Sequence, residues 1–282
     1  MIKNKTTSIF IALALIVLGI IIIVLAAAVN KWDMTKLSTS TYNTKTYTIT
    51  DSFEDISINT DVSNISFELS NDQSCKLVCN EYENEGHIFK SEDNTLLISQ
   101  ENNKKWYEYI SISFHTPKLT VYLPQKEYNS LVVNTGTGNV ALTQELSFQS
   151  IDIKTSTGNV KIENVSTQSL RVDVSTGDID LKSLNCASLI SKGNTGRCLL
   201  KNVIAQNELS VTRTTGDVTF EKCDSNSITI KASTGTVSGT LCSGKNFTVR
   251  SSTGDIDVPP STSGGECKIT TSTGNIIVSI CE

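Results

Sequence analysis

Aspartates recur just after glycines in the second half of this chain, at Asp178, Asp180, Asp217, Asp255 and Asp257, with Arg197 between the first two groups. Carboxylates holding calcium beside an arginine base would suit cleavage of an acidic polysaccharide. A plainer role fits the same residues. Arg197 takes the outward slot that Asp178 and Asp217 take in the flanking repeats, so stacking sets a cation between two anions and relieves a like-charge ladder. The strand faces before the glycines alternate likewise, with Asp152 beside Arg171, and Lys154, Asp173 and Lys192 in series. No Ser-His-Asp, Cys-His or paired-glutamate arrangement stands out, so the charge ladder is preferred and no catalytic residue is assigned.

Eight cysteines outside a membrane would ordinarily suggest disulfides. Their places in the repeat point elsewhere. Cys198 and Cys267 fall in inward apolar slots, and Cys223, Cys242 and Cys281 share the slot seven after glycine that Val165, Leu184 and Val203 fill earlier. They read as small buried hydrophobes. Cys223 and Cys242 lie in consecutive repeats, where a ladder spacing of about 4.8 Å permits a bridge, so that pairing stays open. His87 and His115 are the only histidines, and neither a metal nor a cofactor is assigned. Trp106, Tyr107 and Tyr109, beside Lys104, Lys105 and Glu108, form the one aromatic cluster. Such a cluster suits contact with a glycan, a protein or a membrane surface, or packing over the open end of a core.

These residues are positioned by a repeat. Thr-Gly followed by a polar and then an apolar residue occurs eight times, with glycines at Gly138, Gly158, Gly177, Gly196, Gly216, Gly235, Gly254 and Gly274, spaced 19 or 20 apart. Self-similarity at that period predicts a solenoid with one coil per repeat. Apolar residues stand seven and five before the glycine and two and four after it, as in Leu170, Val172, Ile179 and Leu181. That alternation is the mark of strands with one buried face, which predicts four inward side chains per coil. Eight coils would make a rod of roughly 40 Å. Glycine supplies positive φ where the chain bends, and the preceding threonines would form a hydroxyl ladder along one corner. Neither a nonapeptide calcium repeat nor a phosphate-binding loop fits this spacing. The fourth repeat, Lys192-Gly193-Asn194-Thr195-Gly196-Arg197-Cys198, is irregular.

Ahead of the repeats, Ile9 to Val29 runs for 21 residues without a charge, preceded by Lys3 and Lys5. At about 1.5 Å per residue such a helix spans a bilayer, and it exceeds the usual apolar core of a cleaved signal peptide, although Ala26-Ala27-Ala28 resembles a cleavage site. The expected organisation is a cytoplasmic tail over 1–8, a transmembrane anchor over 9–29, a polar stalk over 30–46, an irregular β cap over 47–130 and the repeat solenoid over 131–282. Within the cap, Thr60-Asp61-Val62-Ser63-Asn64-Ile65 looks like a degenerate copy of the repeat corner. The Pro259-Pro260 pair is expected to bulge out its turn, since proline cannot donate to a ladder. A net charge of −5 without clustered basic residues argues against nucleic acid.

The anchor, the cap ending Leu119-Thr120-Val121-Tyr122-Leu123-Pro124, and the coils from Leu131-Val132-Val133-Asn134-Thr135-Gly136-Thr137-Gly138-Asn139-Val140 onward resemble the bacterial β-strand-repeat "putative adhesin" family of unknown function. The resemblance covers nearly everything after the anchor. It implies a non-enzymatic adhesin-like module of the cell envelope, and some relatives resemble accessory proteins of envelope-stress signalling. The fold expected is all-β, a parallel β-solenoid with an irregular N-terminal β cap and a transmembrane helix. The module is expected to be single-pass, with its C-terminal domain outside the membrane and a cell-wall glycan or envelope protein as partner. A carbohydrate-active β-helix enzyme is the alternative from another class.

Overall fold

The computed structural model describes residues 3–29, 31–32, 42–82, 85–102 and 115–281. Helix α1 (Lys3–Val29) is uniformly apolar along most of its length, and Thr7–Val29 is long and apolar enough to cross a membrane. Its large side chains face outward all round, Phe10 and Ile23 among them at 67% and 64% exposed. A helix without a polar face has no soluble surface to present.

Most of the remaining described chain is strand. Before the repeats come β1 (Tyr42–Ile49), β2 (Asp55–Val62), β3 (Asn64–Leu69), β4 (Cys75–Tyr82), β5 (Glu85–Glu92), β6 (Thr95–Asn102) and β7 (Lys118–Leu123). The repeats supply β8 (Glu127–Thr137), β9 (Val140–Leu142), β10 (Ser147–Thr157), β11 (Val160–Glu163), β12 (Ser166–Thr176), β13 (Ile179–Thr195), β14 (Cys198–Thr215), β15 (Val218–Thr234), β16 (Val237–Leu241), β17 (Lys245–Thr253), β18 (Ile256–Asp257), β19 (Gly265–Thr273) and β20 (Ile276–Ile280). β1 begins inside the segment expected as stalk. From Asn43 onward the strands belong to one compact unit, and α1 belongs to another.

Successive repeats pair in parallel with like slots in register. Leu131, Ile151, Leu170, Leu189, Leu209 and Ile228 stack before the glycines, and Val140, Val160, Ile179, Cys198, Val218 and Val237 stack after them. Each column buries its apolar side chains against the next coil, which is why a single repeat could not stand alone. The inward set is larger than the four slots expected. In the coil of Gly177, Thr167, Leu170, Val172, Val174, Ile179, Leu181 and Leu184 are all buried. The added slots lie ten and three before the glycine and seven after it.

A second corner explains the difference. Asn164, Ser183, Asn202 and Lys222, each six residues after a repeat glycine, have φ between 51° and 57°. The left-handed turn there swings the next residues back onto the core. Three residue types that share no chemistry occupy it, so nothing marks it in the sequence.

Both ends of the stack depart from chain order. β2 and β3 pair in parallel with β8 and β9 on one side and with β6 and β7 on the other, so the Thr60-to-Ile65 corner is a true coil of the stack. The later coil of β6 and β7 lies outside it, closed by antiparallel β4 on β7 and β5 on β6. At the far end β19 and β20 insert between β15–β16 and β17–β18. The last repeat in sequence is therefore next to last in space. Pro259 and Pro260 lie in the non-strand segment 258–264 that makes this return. That segment also runs along the free edge of β17, where Thr262 N–H donates to Lys245 O at 2.8 Å and Phe247 N–H to Ser261 Oγ at 3.0 Å. Covering an edge strand in this way limits pairing with other chains.

Candidate functional site

The repeat glycines sit at a corner that bonds coil to coil. All eight have φ between 127° and 151°, and the N–H groups of all but Gly254, in the outermost coil, donate to a threonine carbonyl of the neighbouring coil, as Gly158 does to Thr176 and Gly216 to Thr234, both at 2.9 Å. Ser63 takes the glycine's place in the degenerate coil, with its N–H on Thr137 O at 2.9 Å.

The polar residue after five of the eight glycines, and Asn64 in the degenerate coil, has a job that the sequence did not disclose. Its side-chain oxygen accepts the backbone N–H of the equivalent residue one coil on, from Asn64 to Asn139 (2.9 Å), Asn139 to Asn159 (2.8 Å), Asn159 to Asp178 (2.8 Å) and Asp178 to Arg197 (3.0 Å). Asp217 does the same for Thr236 at 2.8 Å and Asn275 for Asp255 at 2.9 Å. Arg197 has no oxygen to offer Asp217, and the ladder breaks there; no such bond joins Thr236 to Asn275 among the described residues either.

The expected charge series is accordingly half formed. Arg197 Nε pairs with Asp178 Oδ2 at 2.9 Å on a solvent-facing edge, but Asp217 turns to a backbone N–H, and no ion pair joins it to Arg197 among the described residues. Asp178 and Asp217 thus each spend an oxygen on holding the stack. Arg197→Asn should restore the missing rung and raise stability by about 0.5–1 kcal/mol, since a hydrogen bond contributes about 1 kcal/mol and the exposed ion pair lost contributes less. Urea denaturation of both proteins measures it, and a loss of stability would contradict the ladder.

The threonine ladder lies two residues earlier than expected. The threonines before the glycines are exposed, and the bonded hydroxyls sit three before the corner: Thr60 to Thr135 Oγ1 at 3.1 Å, Thr155 to Gly138 O at 3.4 Å and Thr271 to Gly235 O at 3.3 Å. All eight cysteines are free thiols. Cys198 and Cys267 are buried as their slots require, while Cys242 is exposed. Cys242 N–H donates to Cys223 O at 3.0 Å, so the two are backbone neighbours without a bridge. Trp106, Tyr107 and Tyr109 lie outside the described residues.

A second polar constellation was not foreseen. Along β4 the inward row reads Cys75, Leu77, Cys79 and then Glu81, a carboxylate in an apolar series, and its side chain is 0% exposed. Opposite it, β5 carries His87 inward on a hairpin whose turn residues Asp93 and Asn94 have φ of 50° and 62°, the conformation a two-residue hairpin needs. His87 places Nδ1 at 2.8 Å from Glu81 Oε2 and Nε2 at 3.2 Å from Ser63 Oγ, and its backbone N–H donates to the same carboxylate oxygen at 2.7 Å. Lys45 Nζ donates to Glu81 Oε1 at 2.9 Å. Burial pushes the Glu81 carboxyl upward, but the hydrogen bonds from Lys45 and His87 outweigh it and hold the group below the ordinary carboxylate range. Burial also raises the Cys79 thiol to about 12.

Serine, histidine and glutamate in this order have the connectivity of a nucleophilic triad. The serine is wrongly placed for that chemistry. Ser63 is 0% exposed at the stack corner, and its hydroxyl donates to Pro117 O at 3.4 Å, so a carbonyl substrate has no approach to Oγ. The arrangement holds the cap's β4 and β5 to the first coil. It also gathers one sulfur, one oxygen and one nitrogen, from Cys79, Glu81 and His87, within 4.8 Å of one another. A carboxylate in phase with an apolar row was the available signal in the sequence; the histidine partner comes from another strand and left none.

The family model of Toastrack DUF4097 matches residues 53–189 and again 167–282. Among solved structures, a "putative adhesin" from Bacteroides fragilis is 19% identical, covering 86% of this chain and 99% of its own, with a TM-score of 0.43. A "putative adhesin" from Parabacteroides merdae is 15% identical over 87% of this chain and 98% of its own, at 0.40. A "putative lipid binding protein" from Parabacteroides distasonis is 15% identical over 86% and 98%, at 0.42. No curated protein matches the chain.

Proposed function

Because the chain belongs to the Toastrack DUF4097 family, we propose that it is a parallel β-solenoid, anchored by α1 and lying outside the cytoplasmic membrane, that binds or scaffolds without turnover. One observation carries the non-enzymatic part. At the corners, an oxygen of Asn139, Asn159, Asp178, Asp217 and Asn275 is spent on a bond to the next coil's backbone, so the recurring polar residues support the stack instead of forming a repeated catalytic set. The exposed apolar surface of α1 supports the anchor. Polar contact with a ligand would fall on the open groove of about 400 Å³ between Asn59, Asp61, Asn134, Lys154, Ser156 and Asp173, whose mixed donors and acceptors suit a polyhydroxylated chain.

The test is to present soluble residues 31–282 to cell-wall polymers and glycans, with and without calcium. Binding without cleavage is the expected result, and Lys154→Ala with Asp173→Ala should weaken it at least tenfold. Cleavage of any polymer would favour the enzyme, and absence of binding would favour a protein partner in the envelope.

A further inference from the structure

We propose that Cys79, Glu81 and His87 form a binding site for a thiophilic divalent cation of the zinc class. One sulfur, one carboxylate oxygen and one imidazole nitrogen make the donor set that such an ion takes. Tetrahedral bonds of about 2.0–2.3 Å put ligand atoms roughly 3.3–3.8 Å apart. The donor atoms already lie within 4.8 Å of one another, and the Glu81–His87 contact, 2.8 Å, needs to open by about half an ångström.

The surroundings are those of a ligand cage. Ser63 Oγ faces His87 Nε2 at 3.2 Å and is itself tied to Pro117 O, which fixes the ring and directs Nδ1 at the carboxylate and sulfur. Such an outer hydrogen bond is the usual support of a metal-bound histidine. Cys79 and Glu81 share the inward face of β4, two residues apart, so strand geometry aims both at one point. In the metal-free protein the positive charge beside Glu81 comes from Lys45, whose side chain is 42% exposed and can swing its ammonium into water. A divalent ion would take that place. On binding, the Cys79 thiol and the imidazole Nδ1, which faces the Glu81 carboxylate at 2.8 Å, each give a proton to solvent, the freed sulfur and nitrogen lone pairs go to the metal, and the imidazole is left with a proton on Nε2 toward Ser63. The volume left by the Lys45 ammonium supplies the fourth position.

Metal-stripped full-length protein in detergent would be titrated with cobalt(II) and then with zinc. A thiolate-to-cobalt charge-transfer band at one ion per chain is expected, with zinc displacing cobalt at micromolar or tighter affinity. Cys79→Ser and His87→Gln should each abolish the band and weaken zinc at least a hundredfold. Lys45→Met should strengthen binding several-fold, an effect that loss of structure cannot imitate. The pair Cys242→Ser with Cys281→Ser should leave the band intact. No band, or a band that survives Cys79→Ser and vanishes with Cys242 and Cys281, would overturn the site and leave the cluster a buried ion pair.

Discussion

Gly216→Val should cost the domain more than about 4 kcal/mol and abolish cooperative unfolding of the central coils. Gly216 has a φ of 131°, which a β-branched residue rarely adopts, and a Cβ there would stand 2.2 Å from Gly196 O. The obstacle is backbone belonging to a neighbouring coil that is itself bonded on both sides, so no side-chain rotation relieves it. Gly86→Ala is the control, because its nearest neighbour is the Glu81 carboxylate at 3.5 Å, and it should shift stability by less than about 0.5 kcal/mol. Equal denaturation midpoints for Gly216→Val and the parent would contradict the corner.

The second large effect concerns a buried arginine. Arg213 is 1% exposed in the slot three before the glycine, where neighbouring coils carry Gly193 and Ala232, and its three guanidinium nitrogens lack a hydrogen-bond partner among the described residues. It fits because Gly193 has no side chain: a Cβ on that residue would lie 1.4 Å from Arg213 Nη1. Gly193→Ala alone should therefore destabilise by more than about 2 kcal/mol. In an Arg213→Thr background, where threonine matches Thr155 and Thr271 of other coils, the same change should cost at least about 1 kcal/mol less, the remainder set by the backbone of Val174, whose O would lie 2.9 Å from the new Cβ. Removing an unpaired buried charge should also leave Arg213→Thr alone more stable than the parent by about 1–4 kcal/mol. A thermodynamic cycle of the four proteins measures the coupling. Additivity within about 0.5 kcal/mol would show that the two positions do not meet.

This pair also shows what the sequence could and could not disclose. The irregular fourth repeat was visible as Lys192-Gly193-Asn194, but its cause sits twenty residues later in the next coil. The glycine corner was legible because only one residue type satisfies both its φ and its contact. The second corner was not, because asparagine, serine and lysine all reach a φ near 50° at modest cost. Asp178 and Asp217 after the glycine read as outward charge, and the bonding of these aspartates and of Asn139, Asn159 and Asn275 to the next coil's backbone follows only from the register. The exchanged coils at both ends escaped notice for a related reason. Every coil carries the same slots, so a coil fits as well one place along as another, and periodicity alone cannot order them. In the cap, the Thr60-to-Ile65 corner betrayed itself by residue type, whereas the contact of Glu81 with His87 depends on two strands meeting.

The most direct measurement of the proposed role is the side of the membrane on which Cys242 lies. Cys242 is an exposed thiol near the end of the stack farthest from the cap, so it reports the placement of the folded domain. Intact, wall-stripped cells would be treated with a membrane-impermeant maleimide, with Cys242→Ser as the control. Labelling of the parent in intact cells, lost in the variant, is the predicted result. Labelling that appears only after lysis would place the stack of coils in the cytoplasm and contradict an extracytoplasmic binding module.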